Sequence, residues 1–436
     1  MTRAFDVLVV GAGPAGIAAA ATAAEHGLRV GLVDDNPAAG GQIWRSGASL
    51  PAAARRWFAR LDSSPAVRLQ GWRIVDSPEP GALRAEQNHA GFAADPAAPS
   101  GVDLHYRQLI LATGARERFL PFPGWTLPKV MGAGGLDAMV RGGLPIAGKR
   151  IVVAGTGPLL LAVAAHLAAR GAKVAAICEQ ASSLQMAPLA LQILRQPGKL
   201  RQGASYRWAT RKTRYMTRCW PVAAEGEERL RSVTLQRNGK QWPIACDYLA
   251  CGFHLVPNTE LAALLGCRIE GGFVATDELM QTSLPGIWCA GEPTNIGGVE
   301  LSLVEGEIAG LVAAGRTDAA RKLAERRRGG LGFVRALEQA CRLNPQLRDL
   351  ARDETVVCRC EDVPLKALRS HAGWRDARLH TRCGMGPCQG RVCGGAAEFL
   401  FGWRADSVRP PIFPVPVSSF LAPSATPDST TPREVL

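Results

Sequence analysis

Five of the twelve cysteines of this 436-residue chain fall between positions 358 and 393. Cys358 and Cys360 form a CxC pair, and Cys383, Cys388 and Cys393 follow at intervals of five residues. Four thiolates on two tight loops can hold a [2Fe–2S] cluster, and a four-thiolate zinc site is the alternative. Zinc ribbons favour CxxC pairs, so CxC with Cx4C points more to iron–sulfur. Gly384, Gly386 and Gly390 lie among the later thiols and let backbone N–H groups turn toward sulfur. The other seven cysteines, Cys178, Cys219, Cys246, Cys251, Cys267, Cys289 and Cys341, are scattered, mostly in apolar surroundings, and read as inert core residues.

A second set of residues has the types and spacing for nucleotide chemistry. Gly11-Ala12-Gly13-Pro14-Ala15-Gly16 follows the apolar run 7–10 and opens an alanine-rich stretch that Gly27 ends. The apolar run 30–33 then ends on Asp34. Strand, glycine turn, helix, strand and acid in this order form the dinucleotide fingerprint. Gly11 permits the tight turn, Gly13 lets backbone donors reach a pyrophosphate, and Gly16 lets the helix pack close to the strand. The helix start offers unpaired N–H groups to phosphate, and Asp34 can accept from a ribose.

The elements that must position these residues repeat. Residues 150–179 copy the opening unit, with Gly155 at the place of Gly11, Gly157 at Gly13 and Gly171 at Gly27. The copy fails at its third glycine, where Leu160 stands, and its acid is displaced by one, with Cys178 opposite Asp34 and Glu179 after it. Such a unit holds NADH or an adenine nucleotide such as ATP, or serves as scaffold alone; Glu179 favours NADH over its 2′-phosphorylated relative. Between the copies, 66–107 reads as short strands with a Pro/Ala/Gly-rich flexible insertion at 91–101, and 109–114 as a buried strand ending in a small-residue turn. Residues 205–251 alternate as strands with a hairpin at Asn238-Gly239. Residues 286–292 form a strand running into Gly291-Glu292, 299–314 a helix, and 316–345 an Arg-rich helical linker. The tail starts Pro-rich at Arg409 and ends in Ser/Thr/Pro residues read as disordered.

Composition is that of a soluble globular protein, 47% hydrophobic and 20% charged, with no apolar run long enough to span a bilayer. A cytoplasmic protein is expected. The net charge of +13 is spread, and no aromatic-interleaved basic stripe supports nucleic-acid binding. The seven histidines, His26, His89, His105, His166, His254, His371 and His380, sit in no catalytic motif, so no catalytic residue is assigned.

The set Gly11–Gly16 with Asp34, Gly40-Gly41-Gln42, Ala112-Thr113-Gly114 and Ala290-Gly291-Glu292 resembles the two-dinucleotide-binding flavoproteins. That resemblance implies an α/β fold of two Rossmann-like domains, the FAD domain discontinuous. Gly11, Gly13, Ala15, Gly16 and Asp34 would hold the ADP half of FAD. Gly41, Gln42, Thr113, Gly114, Gly291 and Glu292 would lie near the pyrophosphate, ribityl and isoalloxazine. The last motif usually carries Asp, so Glu292 is a departure. Disulfide reductases of the superfamily carry a paired-cysteine motif; here no cysteine precedes Cys178, and Cys178 has no CxxC partner.

The cysteine region resembles the bacterioferritin-associated-ferredoxin-like [2Fe–2S] domain, a small cysteine-rich α-helical unit. That resemblance implies Cys358, Cys360, Cys388 and Cys393 as ligands, with Cys383 a near neighbour. The whole chain resembles the α (A) subunits of heteromeric amine dehydrogenases: opine oxidases, D-hydroxyproline and L-proline dehydrogenases, and hydrogen cyanide synthase. The implied domains are 1–115 and 251–315 for FAD, 116–250 for the second nucleotide fold around Gly155, Gly157 and Glu179, 316–349 a linker, 350–405 the cluster domain and 406–436 the tail. The implied function is an electron-transfer subunit for oxidation of a secondary amine, imino acid or opine. Its expected partner is a flavin-bearing β subunit, and a small ferredoxin-like subunit is an open further partner. The alternative is a stand-alone NADH-dependent reductase of a ferredoxin-like acceptor, and a third reading makes the cluster a static staple at a subunit interface.

Overall fold

A computed structural model of the chain describes residues 3–44, 50–87, 101–405 and 407–421. The insertion expected at 91–101 lies outside them except for Gly101, as do His89 and the tail end beyond 421. The described residues form two compact units. The first draws on Met1–Gly114, Asn258–Arg327 and Val408–Leu436, and the second on Ala115–Pro257 and Arg328–Ser407.

In the first unit the strand Arg3–Val10 lies between Val30–Asp34 and Gly101–Leu111, both parallel to it, with Val67–Gln70 beyond Val30–Asp34. The outer edge of Gly101–Leu111 is shared. Its first half pairs with the antiparallel strand Ala82–Gln87, and its last residues pair in parallel with Ile287–Cys289, Leu109 opposite Ile287. The late strand thus brings Gly291-Glu292 to the same sheet end as the glycine turn. The helix Pro14–Glu25 is buried along residues 15–24. It is apolar all round because it is covered on both sides, by the sheet and by Val299–Ala313. The two helices meet through small residues: a methyl placed at Gly306 would lie 2.1 Å from Ala15 O. The Pro-rich segment also packs here, Ile412 donating its N–H to Val75 O at 2.9 Å.

The second unit carries a five-stranded parallel sheet in the spatial order Arg214–Thr217, Lys173–Glu179, Arg150–Thr156, Tyr248–Phe253, Val130–Gly132. The repeated unit is therefore a repeat in structure, with helix Leu159–Ala169 joining its two central strands. A three-stranded antiparallel sheet, Cys219–Glu225, Ser232–Arg237 and Lys240–Ala245, turns at Asn238-Gly239, both at positive φ as a two-residue hairpin requires. The strand pattern expected from 205 begins later, because Pro197 opens a helix, Pro197–Ala209, that runs through those first positions. The helix expected over 316–345 is Thr317–Cys341, and its end is buried, Ala340 and Cys341 being 0% and 3% exposed. The cysteine module follows it with a small strand pair, Val356–Cys358 and Val363–Pro364, and helices Trp374–Thr381 and Cys393–Phe401 around a core of Leu368, Trp374, Ala377 and Ala396.

Candidate functional site

The residues of the opening motif converge at the carboxyl ends of the first unit's strands, where the strand order reverses and open α/β sheets take their ligands. Gly11, at φ +103°, turns the chain; a methyl there would lie 2.2 Å from Ala112 O. Gly13 caps helix Pro14–Glu25 without a side-chain acceptor, so first-turn N–H groups stay available to an anion. A methyl at Gly13 would meet nothing within 4 Å, so the space over this glycine is open. Gly41 lies against Gly13, Gln42 beside it is exposed, and Gly291 lies against Ala15. Asp34 is buried and accepts from Ala12 N at 2.6 Å and from Asn36 N at 2.8 Å, and desolvation raises its pKa. Thr113 donates its hydroxyl to Asn258 O at 2.6 Å, and Asn258 N–H donates to Gly114 O at 3.0 Å, so that turn is braced by the chain's return into this unit.

Glu292 keeps one carboxylate oxygen without a partner among the described residues. Its Oε1 accepts from Gly298 N at 3.0 Å, whereas its buried Oε2 has no partner. Burial, only partly offset by the Gly298 donor, pushes its pKa up to about 7. A buried acceptor without a donor is costly, and a ribityl hydroxyl would satisfy it. The unpartnered oxygen, the uncapped helix start and the open space over Gly13 fit a flavin dinucleotide.

Sequence reasoning missed the group that holds this turn. Glu305, fully buried, accepts from Gly291 N at 2.9 Å, Thr294 Oγ1 at 3.1 Å, Asn295 Nδ2 at 2.8 Å and Arg327 Nε at 2.8 Å. The available signal is periodicity: Glu305 stands four residues after Leu301 and three before Ile308, on the buried face of Val299–Ala313. Arg327, the middle residue of Arg326-Arg327-Arg328, is its counterion.

In the second unit the repeated motif keeps its geometry and differs in its surroundings. Glu179 is fully buried and accepts from Gly157 N at 2.7 Å, Thr156 Oγ1 at 2.8 Å and Ala181 N at 2.9 Å. Desolvation still outweighs these donors and pushes its pKa up to about 7. Gly155 approaches strand Tyr248–Phe253 so closely that a methyl on it would lie 2.0 Å from Gly252 O.

The cysteine module gathers three thiols. Cys358, Cys383 and Cys393 are buried with their sulfurs within 4.8 Å of one another, a group that could hold a metal cluster. Cys383 therefore sits among the thiols it was expected only to neighbour. Cys360, exposed, and Cys388, half-buried, are not in that group. Gly384 N–H donates to Cys358 Sγ at 3.4 Å. Hydrogen bonds from Cys383 and Cys393 hold the Cys358 thiol well below its usual range, and Cys393 is pushed correspondingly up. Three gathered thiols, one of them accepting from a backbone N–H, could hold a metal cluster. Among the described residues no helix is long and apolar enough to cross a membrane.

Residues 5–315 match the family model described as pyridine nucleotide-disulphide oxidoreductase. The chain is 30% identical to the A subunit of opine oxidase from Rhizobium meliloti (strain 1021), over 94% of this chain and 97% of the relative. It is 31% identical to the HcnB subunit of hydrogen cyanide synthase from Pseudomonas aeruginosa, over 95% and 97%. Among solved structures, L-proline dehydrogenase from P. horikoshii shares the fold with a TM-score of 0.64 at 17% identity, covering 95% of this chain and 79% of that one. Thioredoxin reductase from T. acidophilum does so with a TM-score of 0.54 at 20% identity, covering 72% and 99%.

Proposed function

The chain belongs to the pyridine nucleotide-disulphide oxidoreductase family of flavin-dependent oxidoreductases, and from that premise we propose that it is the electron-transfer subunit of a heteromeric dehydrogenase acting on a secondary amine, imino acid or opine. The relatives it matches along nearly their whole length are named as subunits, which supports a partner chain. In this reading a flavin-bearing β subunit oxidises the C–N bond, and this chain accepts the electrons and passes them on. When bound, FAD would supply two-electron chemistry and a [2Fe–2S] cluster one-electron chemistry.

The chain's own residues bind and orient. With FAD bound, the Gly11–Gly16 turn and the helix start behind it would hold the pyrophosphate, Asp34 would accept from a ribose, and Glu292 would offer its free oxygen to a ribityl hydroxyl. Glu305 and Arg327 fix the Gly291 turn from behind. By the family resemblance, Cys358, Cys360, Cys388 and Cys393 would be the cluster ligands, while the fold gathers Cys383 with Cys358 and Cys393. The single observation that carries the reading is one chain combining a flavin-type cradle with a five-cysteine cluster while offering no dithiol to the flavin. The first unit's cysteines, Cys267 and Cys289, are both buried, and burial raises their thiol pKa values. That suits an iron–sulfur relay and does not suit disulfide reduction.

The test is a visible spectrum with iron and sulfide analysis of the anaerobically purified full chain. Flavin bands with about two irons and two sulfides per chain are expected. Zinc in place of iron would sink the relay.

A further inference from the structure

The family implies a pyridine nucleotide at the second Rossmann fold, and the residues present there do not fit one. A dinucleotide needs three things at such a site: open space over the second glycine, its backbone donor free, and an acid facing a ribose. In the first unit the space over Gly13 is open. At the equivalent Gly157, a methyl would lie 2.7 Å from Cys341 Sγ, so the chain's own sulfur sits against the loop a pyrophosphate would approach. The Gly157 N–H is spent on Glu179 Oε2, and Glu179 is fully buried.

What covers the site is residues 339–344, the last turn of helix Thr317–Cys341 and the three residues after it. Three carbonyls of this segment, Gln339 O, Ala340 O and Arg342 O, accept from Gln185 Nε2 at 3.2, 3.1 and 2.7 Å. Gln180, just past the strand that carries Glu179, is 1% exposed. Its Nε2 donates to Thr156 Oγ1 at 3.1 Å and to Arg342 O at 3.2 Å, and its Oε1 accepts from Asn344 N at 2.9 Å. Cys341 itself is buried, and desolvation together with the nearby Glu179 pushes its thiol up to about 12, a neutral filler that neither attracts nor repels phosphate. Orphan carbonyls at a helix end need partners, and here two glutamines at the mouth of the fold supply them.

We propose that residues 339–344 are a permanent, built-in occupant of the second nucleotide fold, so that this fold binds no dinucleotide and serves as the seat of the cysteine module. The chain beyond the plug supports the second half of the proposal. Leu347 and Leu350 join the core of the second fold. Arg116 Nε donates to Arg391 O at 3.0 Å, inside the Cys388–Cys393 loop, and Trp125 Nε1 donates to Val356 O at 2.6 Å. The segment that closes the nucleotide site is the one that leads into the thiol module. This goes beyond the electron-transfer reading and stands or falls without it.

The experiment uses the flavin-loaded full chain, so that the first site is filled, with NADH and ATP as separate probes. Calorimetry should show no binding of either. Alkylation by iodoacetamide, read residue by residue by mass spectrometry, should leave Cys341 protected in native protein whether or not NADH is present, and amide exchange over 339–344 should be unchanged by either probe. Stoichiometric binding of either nucleotide with a Kd below about 1 mM would overturn the proposal. So would NADH-induced exposure of Cys341, which would make the segment a displaceable lid. A failure to find iron in the cysteine module would end the relay reading and leave this inference untouched.

Discussion

Glu292 is a buried carboxyl with one oxygen paired and one not, and its behaviour should depend on whether flavin is present. Its pKa is raised from 4.5 to about 7, mainly by desolvation. The folded flavin-free protein therefore holds this proton more tightly than the unfolded chain. The contribution is fully present below about pH 4.5 and is lost as pH rises through about 7. Chemical denaturation of flavin-free Glu292→Gln at pH 8 should show a gain of up to about 3 kcal/mol over the parent, shrinking to nothing near pH 4. Flavin retention should move the other way. Replacing a charged acceptor by an amide should weaken FAD by about tenfold or more, measured by flavin fluorescence on titration. Arg327 poses the reverse problem. Glu305 accepts four hydrogen bonds in full burial, and Arg327 supplies its only charge complement among the described residues. Arg327→Ala should cost about 3 kcal/mol because it strands a buried carboxylate, and adding Glu305→Gln should return much of that loss in urea melts. Additive losses would mean the pair is not coupled.

The two copies of one strand–turn–helix unit show what local pattern can and cannot say. Glycine spacing, apolar runs and the terminal acid are enough to place both units on parallel sheets, because those features are local backbone requirements. The Asn238-Gly239 hairpin is readable for the same reason. The alternation read from 205 fails over its first residues because Pro197 starts a helix there, and the helix, with none of its residues buried, carries no periodic apolar signal to announce it. The fate of the second site is not readable at all. It depends on Cys341, Gln180 and Gln185, which lie far from Gly157 in sequence or carry no motif. Cys383 stands outside the family's ligand pattern, yet the fold brings it to Cys358 and Cys393. The first unit's glycines give a clean separation of folding from binding. Gly11→Ala should fail to fold stably, since the residue needs positive φ and has no room beside Ala112. Gly13→Ala has an ordinary φ of −74° and open space. Its flavin-free stability should stay within about 1 kcal/mol of the parent, while FAD retention is lost because the added methyl occupies the pyrophosphate's approach. Equal flavin binding by Gly13→Ala would remove this turn from the cofactor site.

The chain carries a cradle suited to flavin, a nucleotide-type fold closed by its own backbone and a module of gathered thiols. On the reading proposed above, electrons reach this chain from another protein. The net charge of +13 makes an acidic face on that protein the favourable match, and screening should slow their encounter as salt rises. Anaerobic addition of proline or an opine to the purified chain should leave its flavin band unchanged. The same addition to the chain co-purified with a flavin-bearing β subunit should bleach it, faster at low ionic strength than at high. Bleaching of the chain alone by amine, at the rate of the complex, would place the dehydrogenation here and end the division of labour. Bleaching by NADH alone would mean that electrons enter through the second fold after all, and the plug at 339–344 would have to be a gate.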